Sequence, residues 1–204
     1  MRHDFDFYET PDPLTAWLFS EHHIIGSCYE PCVGSGAIIR AAAASSLAEA
    51  RSWTTNDLDA RWGAQTALDA TTNGAWSMHD WTVSNTPFSC WNEIAEQALG
   101  YSRVGVALYL RLSAHEPKKS EFRDWWTRHP PSALYVCPRF AHQRSRKSGE
   151  WSTDSVTCCW TVWDTRMSGQ IIKHAPATVL SALDSYTPLH RSRMDALMKA
   201  RTAA

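Results

Sequence analysis

Short apolar runs alternate with helix-like segments along most of this chain. Four of the runs have the length and composition of buried strands. They occupy residues 27–30, 53–56, 81–84 and 104–110. Residues 38–47, which are alanine-rich, and residues 90–99 lie between these runs and have good helix propensity. This alternation is typical of an α/β protein with a doubly wound, mostly parallel sheet.

The pattern changes in the second half of the chain. Residues 121–128 predict a short helix that ends before Pro130-Pro131. Residues 134–137 and 156–163 predict two further strands, which we interpret as an antiparallel hairpin. Residues 177–204 predict a helical tail with basic residues near its end: Arg191, Arg193, Lys199 and Arg201. A basic last turn stabilises a helix through its dipole, and DNA contact is the second interpretation of these side chains.

Composition restricts where a nucleic acid could bind. The chain has 204 residues and a net charge of −1, with a pI near 6.7, so it lacks the overall basic character of many DNA-binding domains. A local basic patch is present instead, formed by Arg139, Arg144, Arg146 and Lys147. We predict that this patch contacts DNA; the alternative is a solvated surface loop.

Cysteine usage and hydropathy point to the cytoplasm. The sequence has no run of about 18 apolar residues and no apolar signal-peptide core near its start. Its six cysteines form no Cys-x-x-Cys pair, so we expect buried thiols in a reducing compartment. No metal is expected, because strand and turn geometry would separate Cys28 and Cys32 from His22 and His23.

Eleven tryptophans are an unusually heavy load for a chain of this length. Most fall in predicted elements and are interpreted as core residues, Trp62 among them. Trp125, Trp126 and Trp151 are candidates for exposed stacking platforms. For the adjacent pair, packing is the favoured interpretation, since tryptophan rings dominate burial in small domains.

A glycine-containing turn, Glu30-Pro31-Cys32-Val33-Gly34-Ser35-Gly36, joins the first predicted strand to the next helix. Glycines let a backbone turn tightly and approach a ligand, although a Gly-x-Gly pair alone fits a plain strand-to-helix turn equally well. Asp57 follows the next strand, where an acid commonly holds the ribose hydroxyls of a nucleotide. The chain has no Gly-Lys-Ser/Thr sequence, so a nucleoside without phosphates is the expected ligand.

The tetrapeptide Asn85-Thr86-Pro87-Phe88 follows the third predicted strand. Open α/β sheets bind ligands at the carboxyl ends of their strands. The asparagine offers an amide acceptor, the proline stiffens the turn and the phenylalanine offers a flat face, a set that suits a planar ring bearing an amine. The structural alternative is that Asn85 caps the helix beginning near Cys90 while Phe88 packs against the sheet.

Taken in order, Tyr8-Glu9-Thr10-Pro11, the glycine turn, Asn56-Asp57 and Asn85-Thr86-Pro87-Phe88 resemble the motifs of S-adenosylmethionine-dependent amino-group DNA methyltransferases. The chain is most similar to the small N6-adenine enzymes often carried by phages and prophages, over roughly residues 5–165. This resemblance implies a Rossmann-like class I methyltransferase fold: a mostly parallel seven-stranded sheet that ends in an antiparallel hairpin, with helices on both faces. We expect one methyltransferase domain over residues 1–204, with 177–204 as its tail and no separate target-recognition domain.

The resemblance also implies a role for each matching position. Cofactor binding falls to Tyr8, Thr10 and Pro11 at the methionine end, and to Glu30, Cys32, Gly34 and Gly36 beneath it. Asp57 would hold the ribose hydroxyls. Asp69 would accept from the adenine amine of the cofactor, with Asp80 as a competitor for that role. The catalytic segment would be Asn85, Thr86, Pro87 and Phe88, with Asn85 and Phe88 holding the target base.

One position departs from the family pattern. The family has proline where this chain has Thr86. The contact made there is a backbone carbonyl, which threonine retains, so the loss is one of rigidity, because proline fixes its own φ.

The function implied by the resemblance is methyl transfer from S-adenosylmethionine to the exocyclic N6 amine of adenine in DNA, with base flipping. Other acceptors stay open, namely adenine in RNA, a protein amide, and cytosine N4, whose enzymes more often carry serine or aspartate at the Asn85 position. A different class is also open: a non-catalytic S-adenosylmethionine-binding partner subunit. Both a monomer and a homodimer are compatible with the sequence.

Overall fold

The computed structural model describes residues 8–116, 120–142, 149–151 and 156–202. The α-helices in these residues are α1 (Asp12–Glu21), α2 (Ala37–Ala43), α3 (Trp91–Tyr101), α4 (Ser120–Arg128) and α5 (Ala177–Thr202). The strands are β1 (Gly26–Glu30), β2 (Arg51–Thr55), β3 (His79–Ser84), β4 (Ser102–Arg111), β5 (Ala133–Val136), β6 (Cys158–Asp164) and β7 (Ile171–His174).

The strands form one seven-stranded sheet in the order β2-β1-β3-β4-β6-β5-β7. Strands β1 to β4 run parallel to one another, whereas β6 is antiparallel to both β4 and β5. The predicted α/β fold, with its parallel strands and its β5–β6 hairpin, is confirmed. Beyond the hairpin, β7 adds a parallel edge strand beside β5 that the sequence pattern did not indicate.

Helices cover both faces of the sheet, because neighbouring strand residues point to opposite sides. On β4, Ala107 and Tyr109 join a core cluster with α1, α2 and α5, while Val106 and Leu108 join a second cluster with α3 and α4. Trp125 is buried in the second cluster, and Trp126 donates from its indole nitrogen to Ala114 O at 2.9 Å. Packing is therefore the role of this tryptophan pair.

Several elements differ from their predicted extent. Helix α1 was not predicted, and α2 ends at Ala43 instead of continuing to residue 47. The Ser45 hydroxyl donates to Ala42 O at 2.7 Å, which satisfies a carbonyl at the end of α2 and favours termination there. All six cysteines lie in the described residues, and none of them forms a disulfide. Within the described part of the chain, no helix has the combination of length and apolarity that crossing a membrane requires.

Candidate functional site

A cavity of about 350 Å³ opens where β1, β2 and β3 end. Parallel strands place their carboxyl ends at one edge of the sheet, so the loops that follow them meet there. Eleven of the residues predicted for cofactor binding or catalysis line this cavity. They are Tyr8, Thr10, Glu30, Cys32, Gly34, Asp57, Asp69, Asn85, Thr86, Pro87 and Phe88. The glycine turn and the Asn85–Phe88 tetrapeptide thus share one cavity.

The two glycines of the turn have different positions. Both adopt positive φ, 48° at Gly34 and 73° at Gly36, a region that residues other than glycine rarely adopt. Gly34 lines the cavity and donates its backbone N–H to Asp57 Oδ2 at 2.8 Å. Gly36 is the N-cap of α2 and lines a separate recess beside Trp62 and Leu197. Its contribution is therefore to the path of the backbone.

Pro11 is the second predicted residue outside the cavity lining. It is the N-cap of α1, and its backbone oxygen accepts from the N–H groups of Leu14 and Thr15 at 3.0 and 3.3 Å. It therefore starts the helix that follows the cavity-lining Tyr8–Thr10 segment.

Acidic side chains form the floor of the cavity. Glu30 is 1% exposed, and its Oε2 has no hydrogen-bond partner in the described residues. Burial, together with the nearby charge of Asp57, raises the pKa of Glu30 well above its usual value. Asp69 also lines the cavity, where its carboxylate accepts from the backbone and hydroxyl of Thr71.

Asp80, the competitor of Asp69, lies at the opposite edge of the sheet. It accepts from the backbone and hydroxyl of Ser27 at the start of β1, and from Arg103 at the start of β4. Because these contacts are at the amino ends of the strands, only Asp69 of the two is at the cavity.

Asn85 is oriented by the segment that precedes α1. Its Nδ2 donates to Tyr8 O at 2.7 Å and to Thr10 Oγ1 at 3.0 Å. A carbonyl can only accept, so the amide nitrogen must face Tyr8, and the side-chain oxygen is turned away, where it can accept from a ligand. The N-cap of α3 is Cys90, which makes no side-chain capping bond. Asn85 therefore does not cap that helix.

Phe88 and Thr86 complete the tetrapeptide wall. The Phe88 ring packs partly against the core, with its centroid 5.7 Å from that of Tyr8. The guanidinium carbon of Arg111 lies 4.3 Å from the Phe88 centroid. Thr86 is 2% exposed, and its hydroxyl has no hydrogen-bond partner in the described part of the chain.

Glu9 is a functional candidate that the sequence reasoning missed. It lines the cavity, but its carboxylate is held by other elements. Oε1 accepts from Ser35, from Arg40 on α2 and from Arg193 on α5, each at 2.8 Å. His190 Nδ1 lies 3.3 Å from Oε2. Although burial raises it, the net pKa of Glu9 is lowered by its hydrogen bonds and by the Arg193 charge.

Further cavity-lining residues were missed near Asp57 and Asp69 in the sequence. Leu58, Asp59, Arg61, Trp62 and Ala70 all line it. Their signal in the sequence is their position directly after Asp57 and Asp69. Trp62 was interpreted as a core or helix-packing residue. It is not a core residue, because it is half-buried in the cavity wall and lies outside both core clusters.

The predicted basic patch can be followed only in part. Arg139 is exposed, whereas Arg144, Arg146 and Lys147 lie outside the described residues. His142, the last residue described before them, has its ring 6.1 Å from that of Tyr8. His142 therefore lies beside the cavity residue Tyr8. In the tail, Arg193 is bound to Glu9 and Asp12, so its structural role is established by these contacts.

No protein-family model matches the sequence, and no curated protein sequence matches it significantly. Solved structures do resemble it. A type I restriction-modification methyltransferase subunit from Streptococcus thermophilus superposes with a TM-score of 0.59 and 12% identity, over 89% of this chain and 53% of that one. A Listeria monocytogenes protein described as a class I S-adenosylmethionine-dependent methyltransferase gives 0.57 and 12%, over 90% and 72%. The fold is that of class I methyltransferases.

The same fold occurs with different acceptors. The precorrin-6y C5,15-methyltransferase of Geobacter metallireducens superposes with a TM-score of 0.51 and 12% identity, over 79% of this chain and 95% of that one. This chain spans about half of the Streptococcus subunit's length. At such identities the likeness establishes the fold, and the reaction must be argued from the site.

Proposed function

We propose that the protein transfers a methyl group from S-adenosylmethionine to the exocyclic N6 amine of adenine in DNA, as the small enzymes of phages and prophages do. The observation that carries this proposal is the shared cavity. The glycine turn and Asp57, the elements suited to a nucleoside cofactor, line the same 350 Å³ space as Asn85 and Phe88, the elements suited to a planar amine. Cavities of about this size accommodate small-molecule ligands.

The charge of the cavity supports a cationic cofactor. Glu30, Asp57, Asp59 and Asp69 line it, and the basic residue in the described lining, Arg61, is paired with Asp59 at 2.7 Å. A sulfonium and an amino group near the buried, unpartnered Glu30 would favour the charged form of that carboxylate. A ligand rich in phosphates needs a positively charged site, whereas this lining is predominantly acidic.

S-adenosylmethionine, when bound, supplies an activated methyl group. Asp57 and Asp69 would hold its nucleoside, and Glu30 with Gly34 would lie beneath its methionine end. The chain's remaining task is to orient the acceptor, because orientation of two reactants is worth about 7–11 kcal/mol of a barrier. No nucleophilic side chain is required for this.

Asn85 and Thr86 would prepare the amine. The adenine amine is a poor nucleophile, because its lone pair is delocalised into the ring. The Asn85 side-chain oxygen and the Thr86 carbonyl would each accept one amine hydrogen, which localises the lone pair and aims it at the methyl group. Phe88 would stack on the base, a contact worth about 1–3 kcal/mol.

The DNA assignment rests on the motif set and on the basic residues Arg139, Arg144, Arg146 and Lys147 of the sequence, of which Arg139 is described and exposed. A base in duplex DNA must swing out of the helix, at a cost of a few kcal/mol, before it can reach the cavity. Contacts of positive side chains with the phosphate backbone would offset part of that cost. Loops around the cavity would then contribute to reading the target, and we expect a short or relaxed target sequence.

Expression in a host that lacks adenine methylation, followed by sequencing for modified bases, tests the proposal. N6-methyladenine at a short recurring sequence is the expected result, and Asn85→Ala should remove it. In parallel, purified protein is incubated with labelled cofactor and with DNA, RNA or protein. If the label appeared in RNA or in a protein amide, that molecule would be the acceptor instead of DNA. Tight cofactor binding without methyl transfer would indicate a non-catalytic subunit.

A further inference from the structure

Arg111 is the last residue of β4, at the sheet edge where β3 delivers the Asn85–Phe88 tetrapeptide. Its guanidinium carbon lies 4.3 Å from the centroid of the Phe88 ring. Phe88 lines the cavity but Arg111 does not, so the guanidinium rests against this ring from outside the cavity. The arginine is therefore one ring away from the place where a target base would stack.

The charge of Arg111 lacks an acidic partner in the described part of the chain. Arg40, Arg103, Arg166 and Arg193 each lie within 4 Å of a carboxylate, with distances of 2.8, 3.1, 2.7 and 2.8 Å. Arg111 makes no such contact in the described residues, and its Nε is buried without a hydrogen-bond partner. The Phe88 ring offsets part of this cost by a cation–π contact. A half-buried guanidinium with unused donors is suited to an anionic ligand.

On the basis of the proposed function, we propose that Arg111 binds a phosphate of the DNA strand next to the target nucleotide. A nucleotide whose base stacks on Phe88 brings its own phosphates to the rim of the cavity, within reach of a side chain that touches the same ring. The guanidinium is a planar fork of donors that matches two phosphate oxygens. The contact with Phe88 holds this fork near the ring, and a lysine ammonium could not offer the same fork of donors.

The competing explanation is that Arg111 only supports the Phe88 ring. The two roles differ in their dependence on salt. A phosphate contact releases counterions when it forms. The plot of log K against log salt has a negative slope, and loss of one contact makes this slope less steep by about 0.9 for duplex DNA. A supporting role predicts a lower turnover with an unchanged slope.

The test measures binding of a fluorescein-labelled, adenine-containing duplex between 50 and 200 mM salt, for wild type, Arg111→Met, Arg111→Lys and Arg103→Gln. Arg103 is the matched control, because it lies on the same strand at the opposite edge of the sheet. Arg111→Met should bind DNA about tenfold more weakly at 50 mM salt, and its slope should be less steep than that of wild type by about 0.9. Arg111→Lys should keep the slope but bind less tightly than wild type, and Arg103→Gln should match wild type.

Affinity for S-adenosylhomocysteine, measured by calorimetry on the same samples, should be equal in all four proteins and shows that the variants are folded. An unchanged slope in Arg111→Met, with or without a loss of turnover, overturns the phosphate contact. A wild-type protein that binds the cofactor but neither binds nor methylates DNA overturns the proposed function itself, which separates the two failures.

Discussion

In the proposed mechanism, Asn85 contacts the methyl acceptor and Asp57 contacts the cofactor, and both residues line the cavity. Asn85 is oriented by Tyr8 and Thr10, which leaves its side-chain oxygen for the amine, so Asn85→Ala should lower methyl transfer at least 100-fold. Its cofactor affinity should stay within about threefold, because Asn85 is proposed to contact the acceptor only. Asp57→Ala should weaken cofactor binding about tenfold or more, since a charged acceptor and the brace on Gly34 are both lost. Initial-rate assays measure methyl transfer, and calorimetry measures cofactor binding.

Asp80→Ala is the control for Asp57→Ala. This acid lies at the opposite edge of the sheet with Ser27 and Arg103, so cofactor binding should be unchanged. If Asn85→Ala and Asp57→Ala lost folding to the same degree, the tetrapeptide would be a packing element and the division of roles would be wrong.

Thr86 replaces a family proline with a buried hydroxyl that finds no partner in the described residues. An unsatisfied buried hydroxyl costs about 1–3 kcal/mol, so Thr86→Val should raise the free energy of unfolding by about 1 kcal/mol. The proposed contact is the backbone carbonyl, and methyl transfer should therefore stay within about twofold of wild type. Urea denaturation and initial rates test both statements. A large loss of activity would instead give the hydroxyl a direct contact with the acceptor.

At the level of elements, we expect α5 to support the proposed cofactor site, although no described residue of α5 lines the main cavity. Arg193 and Arg40 hold Glu9, and Glu9 is flanked by the cavity residues Tyr8 and Thr10. Arg193→Ala should lower the free energy of unfolding by about 1.5–3 kcal/mol, because a buried carboxylate loses a charged donor. It should also weaken cofactor binding.

Arg191→Ala is the matched control for this helix. Arg191 is exposed and lies 5.6 Å from the Trp151 ring, a weak surface contact, so its loss should change stability by less than about 0.5 kcal/mol. Chemical denaturation and calorimetry on the two variants give the comparison. Equal cofactor affinity in both would mean that α5 does not support the site.

The sequence predicted the features that depend on local residue pattern and on the order of elements along the chain. Strand-like runs followed by Gly34, Asp57 and Asn85 predicted one shared cavity, because the carboxyl ends of parallel strands meet. It did not indicate the partner of Glu9, since Arg193 is 184 residues away along the chain. Strand β7 was missed for a related reason: all four of its residues are exposed, so it lacks the buried apolar pattern of a strand.

For the molecule as a whole, buried histidines should make stability fall in mild acid. Burial lowers the pKa of His115 from 6.5 to about 4, and burial also lowers the pKa of His22 and of His79. Below pH 6.5 the unfolded chain therefore takes up protons that the native protein excludes. The stabilisation is complete above that pH and is lost as the pH falls from 6.5 toward 4, by at most about 1.4 kcal/mol per pH unit for each histidine.

His115→Gln isolates one of these groups. The His115 ring lies 4.2 Å from that of Trp126 at an interplanar angle of 32°, and its Nε2 lies 2.9 Å from Thr161 Oγ1. Glutamine can keep these contacts in part. Urea denaturation between pH 5 and about 8.5 should show that stability falls less steeply with decreasing pH in the variant, by about one proton taken up on unfolding. Above pH 7.5 the two curves should run parallel. Parallel curves over the whole range would mean that His115 is protonated equally in the native and unfolded states, and the acid sensitivity would then come from other groups.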